Sequence, residues 1–291
     1  MQKTIKHFLI TRFNVKMPSS SLSRQLNEID VATDTKYLTE RFRLFEKYTV
    51  PSVKAQTTDN FIWIICFDSK TPTIFKNQIS ALHEQHKHFI PLFINENDDL
   101  NEEIKEIICS YEGEISITSR IDNDDAIAIS YIEEIQKIAK EQYSEKYAVI
   151  FNDGFQYNEK DCIVSRYHFP KNHFSSLIEI ASEPSNIIID FGHMNIDDYL
   201  PIRDINTPNP MWLEVIHSNN VSNRSHMGGD NSIVKDKDAL SRFGIEDTKI
   251  SIPKNIILSY VLVLPKNLIR LFRQYGMKGI ISKVSRKLRN K

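Results

Sequence analysis

The chain has 291 residues, of which 41% are hydrophobic and 10% aromatic, enough to bury the core of one large domain or two small ones. Its net charge of −1 favours no polyanionic partner for the chain as a whole, so no nucleic acid is expected to bind. Ten Lys or Arg and no Asp or Glu lie from Lys254 to Lys291, which leaves 27 basic and 38 acidic residues in the first 253.

The first 142 residues predict alternating strands and helices. Strands are expected at HFLITRFNV, at FIWIICFD (residues 61 to 68), at HFIPLFIN and at ISITSRID. Helical spacing occurs over residues 38 to 50, in LNEEIKEIICSYEG and in AIAISYIEEIQKIAKEQY. The continuous apolar run ending at Asp68 is typical of a central strand that is buried on both faces. This order predicts an α/β sheet with parallel strands.

The second half is expected to contain a hairpin around Asp153 and Gly154, a short helix at SSLIEIAS, a strand at NIIIDFGHM and a closing segment at MWLEVIHSNN. Residues 1 to 250 are interpreted as one domain and residues 251 to 291 as a basic, amphipathic helical tail. The longest apolar run falls short of the roughly 20 residues that span a bilayer. The three widely separated cysteines are interpreted as buried thiols of a reducing compartment.

Three aspartates, Asp122, Asp124 and Asp125, follow the predicted strand ISIT within four positions. An Asp122 or Asn123 side chain could simply cap the next helix, but one cap explains three acids poorly. Neighbouring carboxylates repel each other unless a cation neutralises them. Because side chains alternate along extended backbone, Asp122 and Asp124 are expected to face one Mg²⁺ or Mn²⁺ at the carboxyl end of a strand.

The order of the segments resembles the GT-A glycosyltransferases, and among them the putative rhamnosyltransferase family of bacterial polysaccharide synthesis. The resemblance is carried by HFLITRFNV, RFRLFEKYTVPSVKAQT, FIWIICFD, ITSRIDNDDAI and MWLEVIHSNNVSNR, and it covers roughly residues 5 to 225. It implies a GT-A-like, Rossmann-like mixed sheet flanked by helices. It also implies a nucleotide-sugar donor and a divalent ion, Mn²⁺ or Mg²⁺.

The resemblance implies metal and donor contacts at particular positions. Asp122 and Asp124 match the metal-binding Asp-x-Asp motif, and His217 is the candidate third ligand, with His226 in reserve. Contacts with the donor are implied for Arg12, Asp68, Arg120 and Asp125. Each has a structural alternative: the arginines could pair with the acidic cluster, Asp68 could start a turn, and His217 could be a hydrogen-bonded core residue.

An inverting transferase, which is the expectation for the family, needs a carboxylate to accept the proton of the acceptor hydroxyl. Glu214 is the candidate because MWLE leads directly to His217. Four other carboxylates stay open: Asp190, Asp197, Asp198 and Asp204. Trp212 is either a platform for an acceptor sugar or a core residue.

The predicted function is the metal-dependent transfer of a sugar, rhamnose by the family's name, from a nucleotide-sugar donor to a saccharide or lipid-linked acceptor in surface polysaccharide synthesis. One alternative is a metal-dependent phosphohydrolase of the haloacid-dehalogenase kind, which also uses Asp-x-Asp after a strand. Another is a non-catalytic sugar-binding or scaffold protein with the same fold.

The tail, residues 265 to 291, holds nine basic residues and no acid, with Leu268, Leu271, Phe272 and Tyr275 at helical spacing. Such a helix could pack on the body of the protein or dock on its acidic surface. An amphipathic basic helix is nevertheless suited to an anionic membrane surface. We therefore expect a cytoplasmic protein, peripheral at the inner face of the cell membrane, where it would meet a lipid-linked acceptor.

Overall fold

The computed structural model describes most of the chain as strands, helices and their connections. The described residues are 3–15, 30–86, 88–141, 146–180, 185–217, 233–246 and 248–258, with the single positions 261, 269 and 273. The strands are β1 (Ile5–Arg12), β2 (Ile62–Asp68), β3 (Phe89–Ile94), β4 (Ile115–Arg120), β5 (Ala126–Ile127), β6 (Tyr147–Phe151), β7 (Asp153–Asn158), β8 (Ile163–His168), β9 (Ser175–Glu179), β10 (Ile202–Ile205) and β11 (Trp212–Ile216).

Helices connect the strands of the first half, as predicted. They are α1 (Thr35–Leu44), α2 (Val50–Lys54), α3 (Thr73–Gln85), α4 (Leu100–Cys109) and α5 (Tyr131–Glu141), followed much later by α6 (Ile252–Leu258). A π-helical segment, Phe45–Thr49, joins α1 to α2. Short 3₁₀ segments cover Ile188–Asp190, Ile196–Asp198 and Ala239–Phe243.

Seven strands form one mixed sheet in the order β10-β6-β9-β4-β1-β2-β3. β1 pairs in parallel with β2 and β4, and β2 pairs in parallel with β3. β9 runs antiparallel between β4 and β6. The carboxyl ends of β1 to β4 and of β6 therefore lie at the same edge of the sheet as the amino end of β9. The predicted mixed α/β sheet, with parallel strands in the first half, is confirmed.

A second sheet has the order β5-β11-β7-β8. Its hairpin joins β7 to β8, whereas the sequence predicted a hairpin around Asp153 and Gly154. At that point the chain instead crosses between sheets, because β6 ends at Phe151 in the large sheet and β7 pairs with β11. A Cβ atom on Gly154 would lie 2.1 Å from Trp212 Cδ2, so the close approach of the two strands requires glycine.

Three other predicted elements are wrong. SSLIEIAS contains strand β9 rather than a helix, because insertion between β4 and β6 buries every residue of the strand. NIIIDFGHM forms the 3₁₀ segment Ile188–Asp190 rather than a strand. The helix predicted from residue 126 starts at Tyr131, since Ala126–Ile127 pair with β11 as β5. The Asp122–Asp125 loop therefore precedes a strand, and the helix-cap explanation for its acids is wrong.

Both faces of the large sheet are buried, which explains the apolar runs of its central strands. Leu9 and Ile65 face a core cluster that includes side chains from α1, α3 and α5, and Phe8 and Ile64 face a second cluster with α4. Burying one such aliphatic or aromatic side chain stabilises the fold by about 1.5–3 kcal/mol. Of the cysteines, Cys66 is buried as expected, but Cys109 is exposed at the end of α4.

Among the described residues, no helix combines the length and the hydrophobicity that crossing a bilayer requires. The proposed domain boundary near residue 250 stays a prediction. Ile252–Leu258 does begin a helix there, and Asn255 Nδ2 donates a hydrogen bond to the Val234 carbonyl oxygen at 2.7 Å.

Candidate active site

The acidic loop lies at the edge of the large sheet where the parallel strands end. It follows β4 directly, and the side chain of Asp122 is 48% exposed, whereas Asp124 and Asp125 are buried. Asn123 Nδ2 donates to the Phe13 carbonyl oxygen at 2.7 Å, which ties the loop to the end of β1. Ligands of open α/β sheets bind at this edge, so the fold places the three carboxylates where the sequence predicted a site.

Asp125, which is buried in this loop, pairs with His173, which lies in the segment before β9 and is largely covered. His173 Nε2 lies 2.7 Å from Asp125 Oδ2, and Val215 N donates to Asp125 Oδ1 at 2.8 Å. Burial lowers the pKa of His173, but the carboxylates of Asp122 and Asp125 outweigh burial and raise it to about 9. The two groups titrate as a pair, because burial raises the pKa of Asp125 although the hydrogen bond from His173 lowers it.

Asp122, Asp125 and His173 form a possible metal centre. Each offers one ligand atom, and these atoms lie within 4.8 Å of one another. Two carboxylates and an imidazole fit Mn²⁺ or another transition metal better than Mg²⁺, which prefers ligand sets made only of oxygen. The chemistry of this group therefore fits the ion that the resemblance implies.

Asp124 is engaged by a different set of partners. Its Oδ2 accepts a hydrogen bond from Arg41 Nη1 at 2.6 Å and lies 2.9 Å from His217 Nε2. Burial raises the pKa of Asp124, but Arg41 and His217 outweigh burial and hold it below its ordinary value. Asp124 is consequently ionised and has close partners inside the protein, contrary to the expectation that its charge is matched by a metal alone.

The structure thus brings two of the three predicted metal ligands, Asp124 and His217, into direct contact. Asp122 instead lies near His173, whose Nε2 is 3.9 Å from Asp122 Oδ2. The assignment of Asp122, Asp124 and His217 as ligands stays a prediction, with His173 and Asp125 as the alternative partners of Asp122. His226 lies outside the described residues.

Arg120, a predicted donor-binding residue, supports the loop that carries His173. Its Nε donates to the His173 carbonyl oxygen at 2.6 Å, and its Nη2 lies 3.2 Å from His193 Nδ1. Burial lowers the pKa of Arg120 to about 10, which leaves the guanidinium charged at neutral pH. Burial and Arg120 together lower the pKa of His193 to about 4, so His193 is neutral.

Arg12 and Asp68, the other predicted donor-binding residues at strand ends, line one cavity. Its volume is about 430 Å³, and it lies between the carboxyl ends of β1 to β3 and the start of α4. Asp68 also has the turn role that was the alternative, because its Oδ1 accepts from Lys70 N at 2.8 Å. A second cavity of about 360 Å³, at the amino ends of β2 and β3, contains none of the predicted site residues.

Glu214, the candidate base, lies on β11 next to the acidic loop. It precedes Val215, whose backbone N–H binds Asp125, and its Oε2 accepts a hydrogen bond from Gln156 Nε2. Of the carboxylates left open, Asp190 accepts from Ile187 N at 2.8 Å in a 3₁₀ turn. Asp197 pairs with Lys171, while Asp198 lies in a 3₁₀ segment and Asp204 in β10.

Trp212 is a core residue, which decides between the two roles left open for it. It is 1% exposed, its Nε1 donates to the Phe151 carbonyl oxygen at 2.7 Å, and its ring stacks on Phe174 at 5.2 Å. A side chain so covered has no face for a sugar.

Sequence reasoning missed three residues of the site: Arg41, His173 and His193. Arg41 lies in RFRLF, a segment that carries the resemblance, but the helical spacing of that segment points to its phenylalanines. His173 lies two residues before the start of β9, which the sequence predicted to be a helix. Only the antiparallel insertion of β9 beside β4 places His173 at the acidic loop, and no local pattern signals it.

The fold and the site together define a mixed α/β protein with an Asp-x-Asp loop at the carboxyl edge of its large sheet. A model of the family described as "Putative rhamnosyl transferase" matches residues 6–229. The chain belongs to this family, and the predicted membership is confirmed. A search of curated proteins finds no match.

Solved structures with a similar course of the chain include several proteins of low sequence identity. S. aureus TarS 1-349 is 9% identical, with a TM-score of 0.41, and the match covers 72% of this chain and 60% of that chain. The mannosyltransferase PcManGT from Pyrobaculum calidifontis, in complex with GDP-Man and Mn²⁺, is 10% identical, with a TM-score of 0.41 and coverage of 75% and 59%. The chain therefore spans about 60% of the length of each of these two.

Proposed function

We propose that the protein is a metal-dependent glycosyltransferase that moves a sugar, with rhamnose the first candidate, from a nucleotide-sugar donor to a saccharide or lipid-linked acceptor. The observation that carries the proposal is the Asp122–Asp125 loop with His173 and His217 at the carboxyl edge of the sheet. The neighbouring cavity with Arg12 and Asp68 is the proposed seat of the nucleotide.

The residues proposed to hold a divalent ion are Asp122 and Asp124 with His217, or Asp122 and Asp125 with His173. When bound, the ion would offset the negative charge of the diphosphate as the nucleotide leaves. Arg12 adds a cation at the end of β1, close to the cavity. Arg120 keeps the His173 loop in place, so its contribution to donor binding is proposed to be mainly positional.

Glu214 is the proposed base of an inverting reaction. In that role its carboxylate takes the proton of the acceptor hydroxyl while the sugar is transferred. Its place on β11 beside the acidic loop supports this, and the hydrogen bond from Gln156 orients one carboxylate oxygen. Glu214 is preferred to Asp190 and Asp197 for this place beside the loop and not for its bonding, since all three have partners.

The phosphohydrolase alternative requires a nucleophilic aspartate at the end of an early strand. The early strand β2 does end at an aspartate, Asp68, but Lys70 N donates to its Oδ1 in a turn, and the Asp-x-Asp loop itself follows only the fourth strand along the chain. Membership of the transferase family also favours sugar transfer. A non-catalytic scaffold would have no need for ionised carboxylates at a strand end.

The test is a panel of nucleotide sugars, including deoxythymidine-, uridine- and guanosine-linked donors, incubated with the purified chain with and without Mn²⁺ or Mg²⁺. Metal-dependent release of a nucleoside diphosphate is the expected result, and the product's anomeric configuration decides between inversion and retention. Phosphate release from sugar phosphates would instead indicate a hydrolase. Absence of donor binding with either metal would leave only the scaffold function.

We further propose that residues 265 to 291 bind an anionic membrane surface and bring the site to a lipid-linked acceptor. Apart from Ile269 and Arg273, which are exposed, this segment lies outside the described residues, and the proposal rests on its charge. Each Lys or Arg near an anionic surface adds about 1 kcal/mol, so half of the nine would give useful binding.

Co-sedimentation with vesicles containing anionic lipid tests this role. The full chain should pellet with the vesicles at low salt and be released at high salt, because screening weakens charge attraction. A chain truncated after residue 264 should stay in the supernatant and keep its activity on a soluble acceptor. Equal binding by both chains, or no binding by either at low salt, would exclude the membrane role.

A further inference from the structure

Arg41 is closely engaged with the acidic loop, and nothing in the proposed reaction assigns it a role. It lies in the last turn of α1, and its side chain is only 12% exposed. Its Nη1 donates to Asp124 Oδ2 at 2.6 Å and to Asn123 Oδ1 at 3.2 Å. The short distance and the low exposure of both side chains make Arg41 and Asp124 a largely buried ion pair.

Two side chains contact the same oxygen atom, Asp124 Oδ2. Arg41 Nη1 approaches it at 2.6 Å and His217 Nε2 at 2.9 Å. A divalent ion bound to this oxygen would therefore meet the guanidinium at short range. Two cations a few ångström apart repel each other strongly where little water screens them. The Arg41 contact and an ion on the same oxygen are consequently in competition.

We propose that Arg41 is the internal cation of the metal site: it neutralises Asp124 in the metal-free protein and gives up that carboxylate oxygen when a divalent ion binds. The proposal rests on the proposed function, because it assumes an ion at Asp124. It explains how the protein keeps a buried aspartate ionised before metal arrives, since an unpaired buried charge is costly.

The surroundings of Arg41 supply an alternative contact after it leaves Asp124. Its guanidinium carbon lies 5.3 Å from the centre of the Tyr37 ring, one turn earlier in the same helix. An arginine over an aromatic ring retains a cation–π attraction of about 0.5–1 kcal/mol or more. Because Arg41 already makes this contact beside its ion pair, it would keep the aromatic partner after it leaves Asp124.

The first experiment measures Mn²⁺ binding to the full chain by the loss of the free-ion signal in electron paramagnetic resonance. Arg41→Met should bind Mn²⁺ at least about tenfold more tightly than the wild type, equivalent to about 1.4 kcal/mol. Arg43→Met is the matched control, because Arg43 lies on the same helix but pairs with Glu40 and Glu159. Its Mn²⁺ affinity should be unchanged.

The second experiment needs no affinity constant. Arg41→Met should lower the melting temperature of the metal-free protein, and saturating Mn²⁺ should raise that of Arg41→Met more than that of the wild type. In an Asp124→Asn background the Arg41→Met change should lose most of its effect, because the two residues act through one contact. If Arg41→Met does not fold, Arg41→Gln carries both measurements, since it is also neutral but can still donate to Asp124.

The outcomes separate this inference from the proposed function. Mn²⁺ binding by the wild type with equal or weaker binding by Arg41→Met would overturn the role of Arg41 and leave a metal-dependent enzyme in place. Mn²⁺ binding by neither protein would overturn both proposals. Tighter binding by Arg41→Met that persists unchanged in the Asp124→Asn background would show that the charge acts from a distance, and it would exclude competition at Asp124.

Discussion

Two acidic regions of the molecule, Glu159 and the loop after β4, differ in how many cationic side chains contact each acid. Glu159, at the turn between β7 and β8, is a single acid with three donors: Arg43, Lys47 and Tyr48, at 2.7 to 2.9 Å. The loop after β4 places three acids within four positions, and Asp122 is half exposed there. Glu159 joins neighbouring elements of the fold, whereas the acids of the loop lie at the ligand-binding edge of the sheet with their own partners, Arg41 and His217 at Asp124 and His173 at Asp125.

The physical difference lies in what the carboxylate does for the fold. Burial would raise the pKa of Glu159, but hydrogen bonds from Arg43, Lys47 and Tyr48 lower it to about 2. Glu159 thereby joins α1 and the π-helical segment to the second sheet. In the acidic loop burial also opposes ionisation, but Arg41 and His217 hold the pKa of Asp124 below its ordinary value, and His173 and Arg120 do the same for Asp122. Three acids gathered at the edge where open α/β sheets bind ligands, rather than at a joint between elements, indicate function.

The largest effect should follow removal of charge from the loop. Asp122→Asn should reduce sugar transfer by about a hundredfold or more, because an uncharged amide is a poor metal ligand. Since Asp122 is half exposed, the free energy of unfolding of this variant should stay within about 0.5 kcal/mol of the wild type. Steady-state kinetics and urea denaturation measure the two quantities. Near-normal activity of Asp122→Asn in Mn²⁺ would contradict the site.

Asp124→Asn should be equally inactive but less stable. Removing one partner of a buried ion pair costs about 3–5 kcal/mol when the other charge is left alone, and less here because Arg41 keeps Asn123 as a partner. A loss of about 2 kcal/mol in the metal-free protein is therefore expected in urea denaturation. Equal stability of the Asp122→Asn and Asp124→Asn variants would show that the Arg41 contact contributes nothing.

The next largest effect is a change in the Mn²⁺ requirement, and it distinguishes the two histidines. Whichever of His173 and His217 binds the ion should, when replaced by alanine, raise the Mn²⁺ concentration at half-maximal activity by about 10–100-fold. The other replacement should change the melting temperature while leaving the metal response unaltered. Activity titrations with Mn²⁺ and Mg²⁺ provide the comparison. A metal response unchanged in both variants would return both histidines to structural roles.

The smallest effect concerns Glu159. Its folded pKa lies below its unfolded value, so its stabilisation is present above about pH 4.5 and is lost as the pH falls towards 2. Allowing for solvent screening, Glu159→Gln should cost about 1–2 kcal/mol at pH 7 and progressively less below about pH 4.5. Urea denaturation at a series of pH values from neutral to acidic measures the difference. A difference that does not depend on pH would contradict the ion-pair account, and activity should be unaffected throughout.

The sequence predicted both the strands of the first half and the acidic loop that follows one of them. The strands ending at Arg12, Asp68 and Arg120 were predicted because apolar runs and turn residues are local signals. The acidic loop was predicted because covalent neighbours stay neighbours in any fold. The family resemblance then supplied a chemistry for the loop, and the family match over residues 6–229 agrees with it.

The secondary-structure predictions that are wrong concern segments whose position in a sheet overrides their local sequence pattern. SSLIEIAS has helical spacing, but its position between β4 and β6 makes it a strand. The chain also crosses between sheets next to Gly154, where the sequence indicated a turn. Local helix and strand propensities contribute less free energy than a segment gains by packing as a strand within a buried sheet.

The sequence by itself determined that an α/β sheet ends in a concentrated negative charge, because both properties are written in short, contiguous segments. Only the tertiary structure decided which cations meet that charge. Arg41 is 83 positions from Asp124, His217 is 93, and His173 is 48 from Asp125. Such partners are selected by strand order and by the crossing of the chain between sheets, and neither is encoded in the spacing of nearby residues.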